Sequence, residues 1–155
     1  MSICTTVALL APVPLEHLES GELVCRQSGK VAYGSRAWDV FSRLDSLRNG
    51  LRVHTFFYAS GIDDPIGKKV SWQASYIGFL DCRKVSGTYE NQYRPPTTRQ
   101  YPSDNRFDWP IFWEVESLQR MDDPIPIHRF RGLGMKRAFQ IDFVPEGPIL
   151  IQYRW

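Results

Sequence analysis

The sequence predicts one α+β domain, a mixed, mostly antiparallel sheet curved into a β-barrel with flanking short helices. Three observations predict it. Short apolar runs with a period of two recur along the chain, and two segments carry helical spacing instead. A length of 155 residues suits a single core, so residues 1–155 read as one domain. Closing a curved sheet would protect its edges.

The first run, Ile3 to Leu10, is β-branched in part and is followed by Ala11-Pro12-Val13-Pro14, which reads as a strand stop. Pro14 fits a first helical position, and Gly21 is the expected end of that short helix. Ser35 is the expected N-cap of the next helix, where Ala37, Val40, Phe41, Leu44 and Leu47 recur at helical spacing. Asn49-Gly50 supplies the stop. In the strand Leu51 to Ser60, Leu51, Val53, Thr55, Phe57 and Ala59 take one face and Arg52, His54, Phe56 and Tyr58 the other. Rings on both faces predict a central strand.

Gly61 to Pro65 reads as a turn, and Val70 to Val85 as a long strand in which Gly78 permits a bulge. Ser86 to Pro110 has four prolines and no period; it reads as a binding loop over a barrel mouth, anchored by Tyr89, Tyr93, Tyr101 and Phe107. Disorder is the other reading of that loop. Ile111 to Leu118 alternates as a strand, and Pro126 opens one helical turn through Phe130. Two last strands are expected at Ala138 to Val144 and Ile149 to Trp155, joined by a hairpin at 145–148.

Composition narrows the function classes. Net charge is +2, too weak to imply nonspecific nucleic-acid binding by itself. The basic residues cluster, however, at Arg83 to Arg106 and at Arg129 to Arg137. Either cluster could hold phosphates, and either also fits a solvated face. Three cysteines without short spacing argue against a disulfide framework or a cysteine zinc site, and predict a cytoplasmic protein. No apolar run approaches the roughly 20 residues of a membrane span, so no membrane partner is expected.

No catalytic set and no metal set stands out. Cys25, Cys82 and the serines lack a local signature with His17, His54 or His128. Asp63-Asp64 and Asp122-Asp123 precede prolines and read as turn starters. Glu114 and Glu116 share a strand face, most simply a solvent face. The segment from Arg131 to Arg137 has two glycines with flanking cations, short of a dinucleotide fingerprint but compatible with a backbone nest for one phosphate.

Aromatic content is the exceptional number: 14%, with 5 Trp, 7 Tyr and 9 Phe. Flat rings serve cores, interfaces and base-stacking sites alike. Tyr33, Trp38, Tyr58, Trp72 and Trp113 fall where they could converge on one mouth, with Ser35, Arg36, Asp39 and Ser60 as donors and acceptors for a base edge. Each ring alone also fits core packing, Trp72 and Trp113 above all.

Three short motifs then suggest a family. They are Tyr33-Gly34-Ser35-Arg36-Ala37-Trp38, the stretch Gly50 to Ser60, and Ser75-Tyr76-Ile77-Gly78-Phe79-Leu80. With Ile111-Phe112-Trp113-Glu114-Val115 as a later strand, their order resembles the PUA-like superfamily, nearest its EVE and ASCH domains, over Ile3 to Phe130. The ASCH pattern Gly-x-Lys-x-x-Glu-x-Arg is not met, since no Glu lies between Lys30 and Arg36. The resemblance implies a binding module for DNA or RNA that reads a modified or flipped base, without a cofactor. By position it points to Ser35, Arg36, Trp38, Tyr58 and Ser60 as pocket residues, beside Tyr33, Trp72 and Trp113. Arg94, Arg99, Arg129, Arg131, Lys136 and Arg137 are the expected phosphate contacts. The alternatives are a nuclease or nucleotide-processing enzyme of the same superfamily, and a protein-interaction module, including a homodimer through the C-terminal strands.

Overall fold

The computed structural model describes residues 2–61, 68–82, 91–100 and 109–153. The expected turn at 61–65, the end of the expected strand at 83–85, and the anchors Tyr89, Tyr101 and Phe107 lie largely or wholly outside them.

The order is β1 (Ala8–Pro14), α1 (Leu15–Ser28), β2 (Val31–Ser35), α2 (Trp38–Arg48), β3 (Val53–Ser60), β4 (Lys69–Asp81), β5 (Ile111–Pro126) and β6 (Ile149–Ile151). The six strands form one sheet in the order β2-β5-β4-β3-β1-β6. Among the described strands only β1 and β3 run parallel; every other pair is antiparallel. The α+β class and the mixed, mostly antiparallel sheet are as expected, and β3 is internal. The barrel is not: the sheet is open, and its outer strands β2 and β6 do not pair.

Alternation explains the two faces. Leu9, Ala11 and Val13 of β1, Val53, Phe57 and Ala59 of β3, and Trp113 and Val115 of β5 face the two helices. There they meet Leu18 and Cys25 of α1 and Phe41 and Leu44 of α2. Ala8, Leu10, Phe56 and Tyr58 face the other way, against Ile127, Phe130 and Ile151, with Phe139 and Phe143 at the margin. Burying both faces is why β3 carries rings on each side.

Several boundaries differ from the expected ones. β1 begins at Ala8, and Ile3 makes only an isolated bridge to Arg52. The strand continues through Pro12 and Pro14, because β6 pairs only with Ala8–Leu10. Beyond Leu10 the outer side of β1 carries no ladder bond for a proline to lose. α1 runs through Gly21 to Ser28 and ends at Gly29, whose φ of 84° suits glycine. α2 starts after Ala37, so Ser35 is not its N-cap, although Ser35 Oγ accepts the Ala37 N–H at 3.1 Å. Asn49 ends α2 in a left-handed conformation, as the Asn-Gly pair predicts.

Gly78 does sit at a register shift, with φ 141°, and another shift near Val70 turns that residue to the far face from Trp72. β5 continues past Leu118 to Pro126 because Ser117, at φ 57°, resets its phase and Lys69 then pairs with Pro126. The helical turn expected from Pro126 is a single 3-10 turn, Ile127–Arg129. Ala138 to Val144 is not a strand. Phe139 and Phe143, four residues apart, stack at 4.4 Å and are packed against the same cluster, which an alternating strand could not place so closely.

Candidate functional site

A cavity of about 190 Å³ lies beside the edge strand β2. Pro12, Val13 and Pro14 of β1, His17 of α1, and Tyr33, Gly34 and Ser35 of β2 line it. Arg94, Thr98, Trp109, Trp113 and Pro148 complete the lining. Strands β1 and β2 are four places apart in the sheet order, yet share this cavity. The sheet therefore curls strongly, and the cavity occupies part of the gap where a barrel would have closed.

Its aromatic side is built from three rings. Tyr33 and Trp113 are buried from adjacent strands, with centroids 5.7 Å apart. Phe57 stacks behind Trp113 at 5.7 Å and 18°, and Phe41 at 5.1 Å and 27°. Trp109 packs on Gly34, where a Cβ would stand 2.4 Å from the indole. The Arg36 guanidinium lies over the Trp109 ring at 5.5 Å. Trp109 thus packs on strand backbone and has a cation over its ring.

Its polar side comes from α1 and the segment at 91–99. His17 is buried, with Nδ1 2.8 Å from Thr97 Oγ1. The Tyr33 hydroxyl donates to the His17 carbonyl at 2.8 Å, and burial, with Cys25 nearby, pushes the phenol pKa well above its usual value. Arg94 is 8% exposed, and its guanidinium donates to Thr98 Oγ1 at 2.9 Å and the Thr98 carbonyl at 2.7 Å. This pins the 3-10 turn Pro96–Arg99, whose Thr98 hydroxyl donates to the Pro95 carbonyl at 2.6 Å. The segment is tied to β2 by the Ala32 N–H donating to the Tyr93 carbonyl at 3.0 Å. Such a site offers rings for stacking and several fixed dipoles, the makeup of a small-molecule pocket.

Of the expected pocket residues, Tyr33, Ser35 and Trp113 line the cavity, and Arg36 reaches it through Trp109. Ser60 is not in the lining; it is opposite Pro14, which is, in the β1–β3 register. Trp38 is 45% exposed at the start of α2 and is not in the lining. Trp72 is fully buried in the helix-side core, and Arg120 lies over its ring at 5.1 Å. Tyr58 faces the opposite side of the sheet, where its hydroxyl donates to the Pro145 carbonyl. Trp109, His17 and Thr98 join the site without having been expected. The signal for Trp109 was available in Gly34, a small residue in a strand, which marks close approach by another group.

The paired carboxylates on β5 diverge in function. Glu114 is buried and pairs with Lys30 at 3.1 Å, while Glu116 pairs with Arg52. Among the described residues, no group of three or more His, Cys, Asp or Glu side chains could hold a metal ion. No helix among them is long and apolar enough to cross a membrane.

Comparisons of the chain with protein-family models, with curated proteins and with solved structures find no match.

The expected phosphate contacts separate into two groups. Arg94 belongs to the cavity, and Arg99 donates to the Asn91 carbonyl at 3.1 Å, stapling the same segment. Arg129, Arg131 and Lys136 line a second, more open concavity of about 410 Å³ with Ala138, Gln152 and Tyr153. Arg137 is exposed nearby in the sequence but outside that lining.

Proposed function

We propose that the chain binds one flat heterocyclic ring, a modified or flipped nucleobase of DNA or RNA, in the cavity beside β2. One observation carries this reading. Trp109, laid on the side-chain-free Gly34, stands at a cavity shared with Trp113 and Tyr33 and bordered by His17, Ser35, Arg94 and Thr98. The volume of about 190 Å³ falls below the roughly 300 Å³ at which drug-sized sites begin, which favours a single ring system. An extruded base is held by stacking and by hydrogen bonds to its edge, and both kinds of partner are present. The resemblance of the Tyr33 to Trp38 motif to PUA-like readers supports the same reading.

The test is saturable quenching of tryptophan fluorescence by a panel of modified and unmodified nucleosides. Base–aromatic stacking is worth about 1–3 kcal/mol per base, so Trp109→Ala should weaken binding roughly fivefold or more. Ser35→Ala should change the preference among nucleosides. A flat response across the panel, with the protein folded, overturns the reading.

A further inference from the structure

The second concavity lies beside β6, whose two ends border the two places. Pro148 borders the aromatic cavity and Gln152 borders the concavity of Arg129, Arg131 and Lys136. Gln152 is four positions on from Pro148, about 13 Å of extended chain at 3.3 Å per residue. The segment holding these cations is fastened outside β6. Gly132 bridges Ile151, the Gln152 N–H donates to the Arg131 carbonyl at 2.8 Å, and the Leu133 N–H donates to the Leu150 carbonyl at 3.2 Å. The three cations are thus carried by backbone that the sheet holds in place.

The segment that carries these cations is basic along its length. Between Pro124 and Ile141 the sequence has Arg129, Arg131, Lys136 and Arg137 and neither Asp nor Glu. Among the described residues lining the concavity there is no carboxylate, and Arg131 and Lys136 are exposed there. Gln152 adds an amide that can donate to a phosphate oxygen. Arginine with a neighbouring lysine is the usual chemistry for oxyanions.

We propose that this concavity seats the phosphodiester backbone of the strand whose base enters the aromatic cavity, so that the partner is a polymer and not a free nucleotide. This rests on the nucleobase reading of the cavity. A span of about 13 Å is several times the 3.4 Å axial rise per nucleotide of a duplex strand, so more than one phosphate is needed to cross it. A single nucleotide would fill the cavity alone, whereas a strand of several nucleotides running along β6 would engage both places.

Fluorescence anisotropy of labelled single-stranded oligonucleotides of increasing length, at two salt concentrations, tests the proposal. Affinity should rise steeply once the strand is long enough to extend from the bound base to Arg131 and Lys136. The double variant Arg131→Gln/Lys136→Gln, confirmed folded by its unfolding curve, should lose about tenfold on long strands. It should also show a shallower salt dependence, by roughly 0.7 for each phosphate no longer neutralised. Its nucleoside quenching should be unchanged. Equal affinity and slope in the variant and the parent overturn the proposal, as does competition by inorganic phosphate as strong as that by the oligonucleotide. If nucleosides fail to quench while long strands still bind through Arg131 and Lys136, the cavity reading falls, and with it the link between the two sites. If nucleosides quench and strand length has no effect, only the present proposal falls.

Discussion

Gly34 and Trp109 are interlocked: a Cβ on Gly34 would lie 2.4 Å from Trp109 Cγ, inside the closest approach of real carbon atoms. The contact is to a rigid ring that cannot fold away as a flexible chain end would. Gly34→Ala should therefore expel the indole from its seat. Overpacking of this kind costs about 1–3 kcal/mol, and the wall of the cavity moves with it. The expected result is a lower urea midpoint together with a red-shifted tryptophan emission. A variant with parent stability and emission would show that Trp109 does not rest there.

Gly21 and Tyr33 make a comparable pair in the core. A Cβ on Gly21 would fall 2.1 Å from the Tyr33 hydroxyl, which donates to the His17 carbonyl. Within a helix, Gly→Ala alone should gain up to about 1 kcal/mol of propensity. Here the clash should win, and Gly21→Ala should destabilise. Removing the hydroxyl in Tyr33→Phe takes away the nearest obstacle, leaving contacts at 3.2 Å. The double variant should then be more stable than the sum of the two single changes allows, by at least about 1 kcal/mol. Strict additivity in urea melts would contradict the close approach.

These two glycines also show what was legible in the sequence. Period-two alternation located β3 and the first part of β5 with their faces, since both faces of β3 had rings to bury. Local pattern could not see the Tyr33 hydroxyl beside Gly21, so the glycine reads as a helix end when it is a packing site. The same holds for Pro12 and Pro14, which stop a paired strand but not one whose outer side is open beyond Leu10. The candidate site was legible on β2 and β5, where Tyr33, Ser35 and Trp113 follow from one motif and one strand. Tyr58 and Trp38 were not separable from them, because a ring's direction depends on how the sheet curls. Trp109 and His17 are contributed by distant elements brought together only by the fold.

Tyr58 should matter to stability and not to ligand binding. Its hydroxyl donates to the Pro145 carbonyl across the sheet face opposite the helices. Burial, reinforced by Glu146, pushes its pKa up to about 12. An unfolded tyrosine ionises near 10, so between about 10 and 12 the folded state holds the more protons. Stability is then lost as pH rises through that window. Tyr58→Phe should cost about 1 kcal/mol at neutral pH for the lost hydrogen bond and should flatten part of the alkaline loss. Urea midpoints at pH 8 and pH 11 read both effects. An equal alkaline drop in parent and variant would remove Tyr58 as a contributor.

His54 should produce the opposite slope on the acid side. Its ring stacks on Phe56 at 4.2 Å, and its Nε2 lies 3.1 Å from Gln73 Oε1. Burial lowers its pKa, and the Gln73 contact only partly opposes that. With the folded value below the unfolded one of about 6.5, the unfolded chain binds the extra proton first. Stability from this group is complete above pH 6.5 and declines as pH falls through the window down to the folded pKa. His54→Gln keeps a polar side chain at the position and removes the titration. Its urea midpoint should fall less than the parent's between pH 7.5 and pH 5. An NMR titration that puts the His54 ring at or above 6.5 would reverse the sign and refute the assignment.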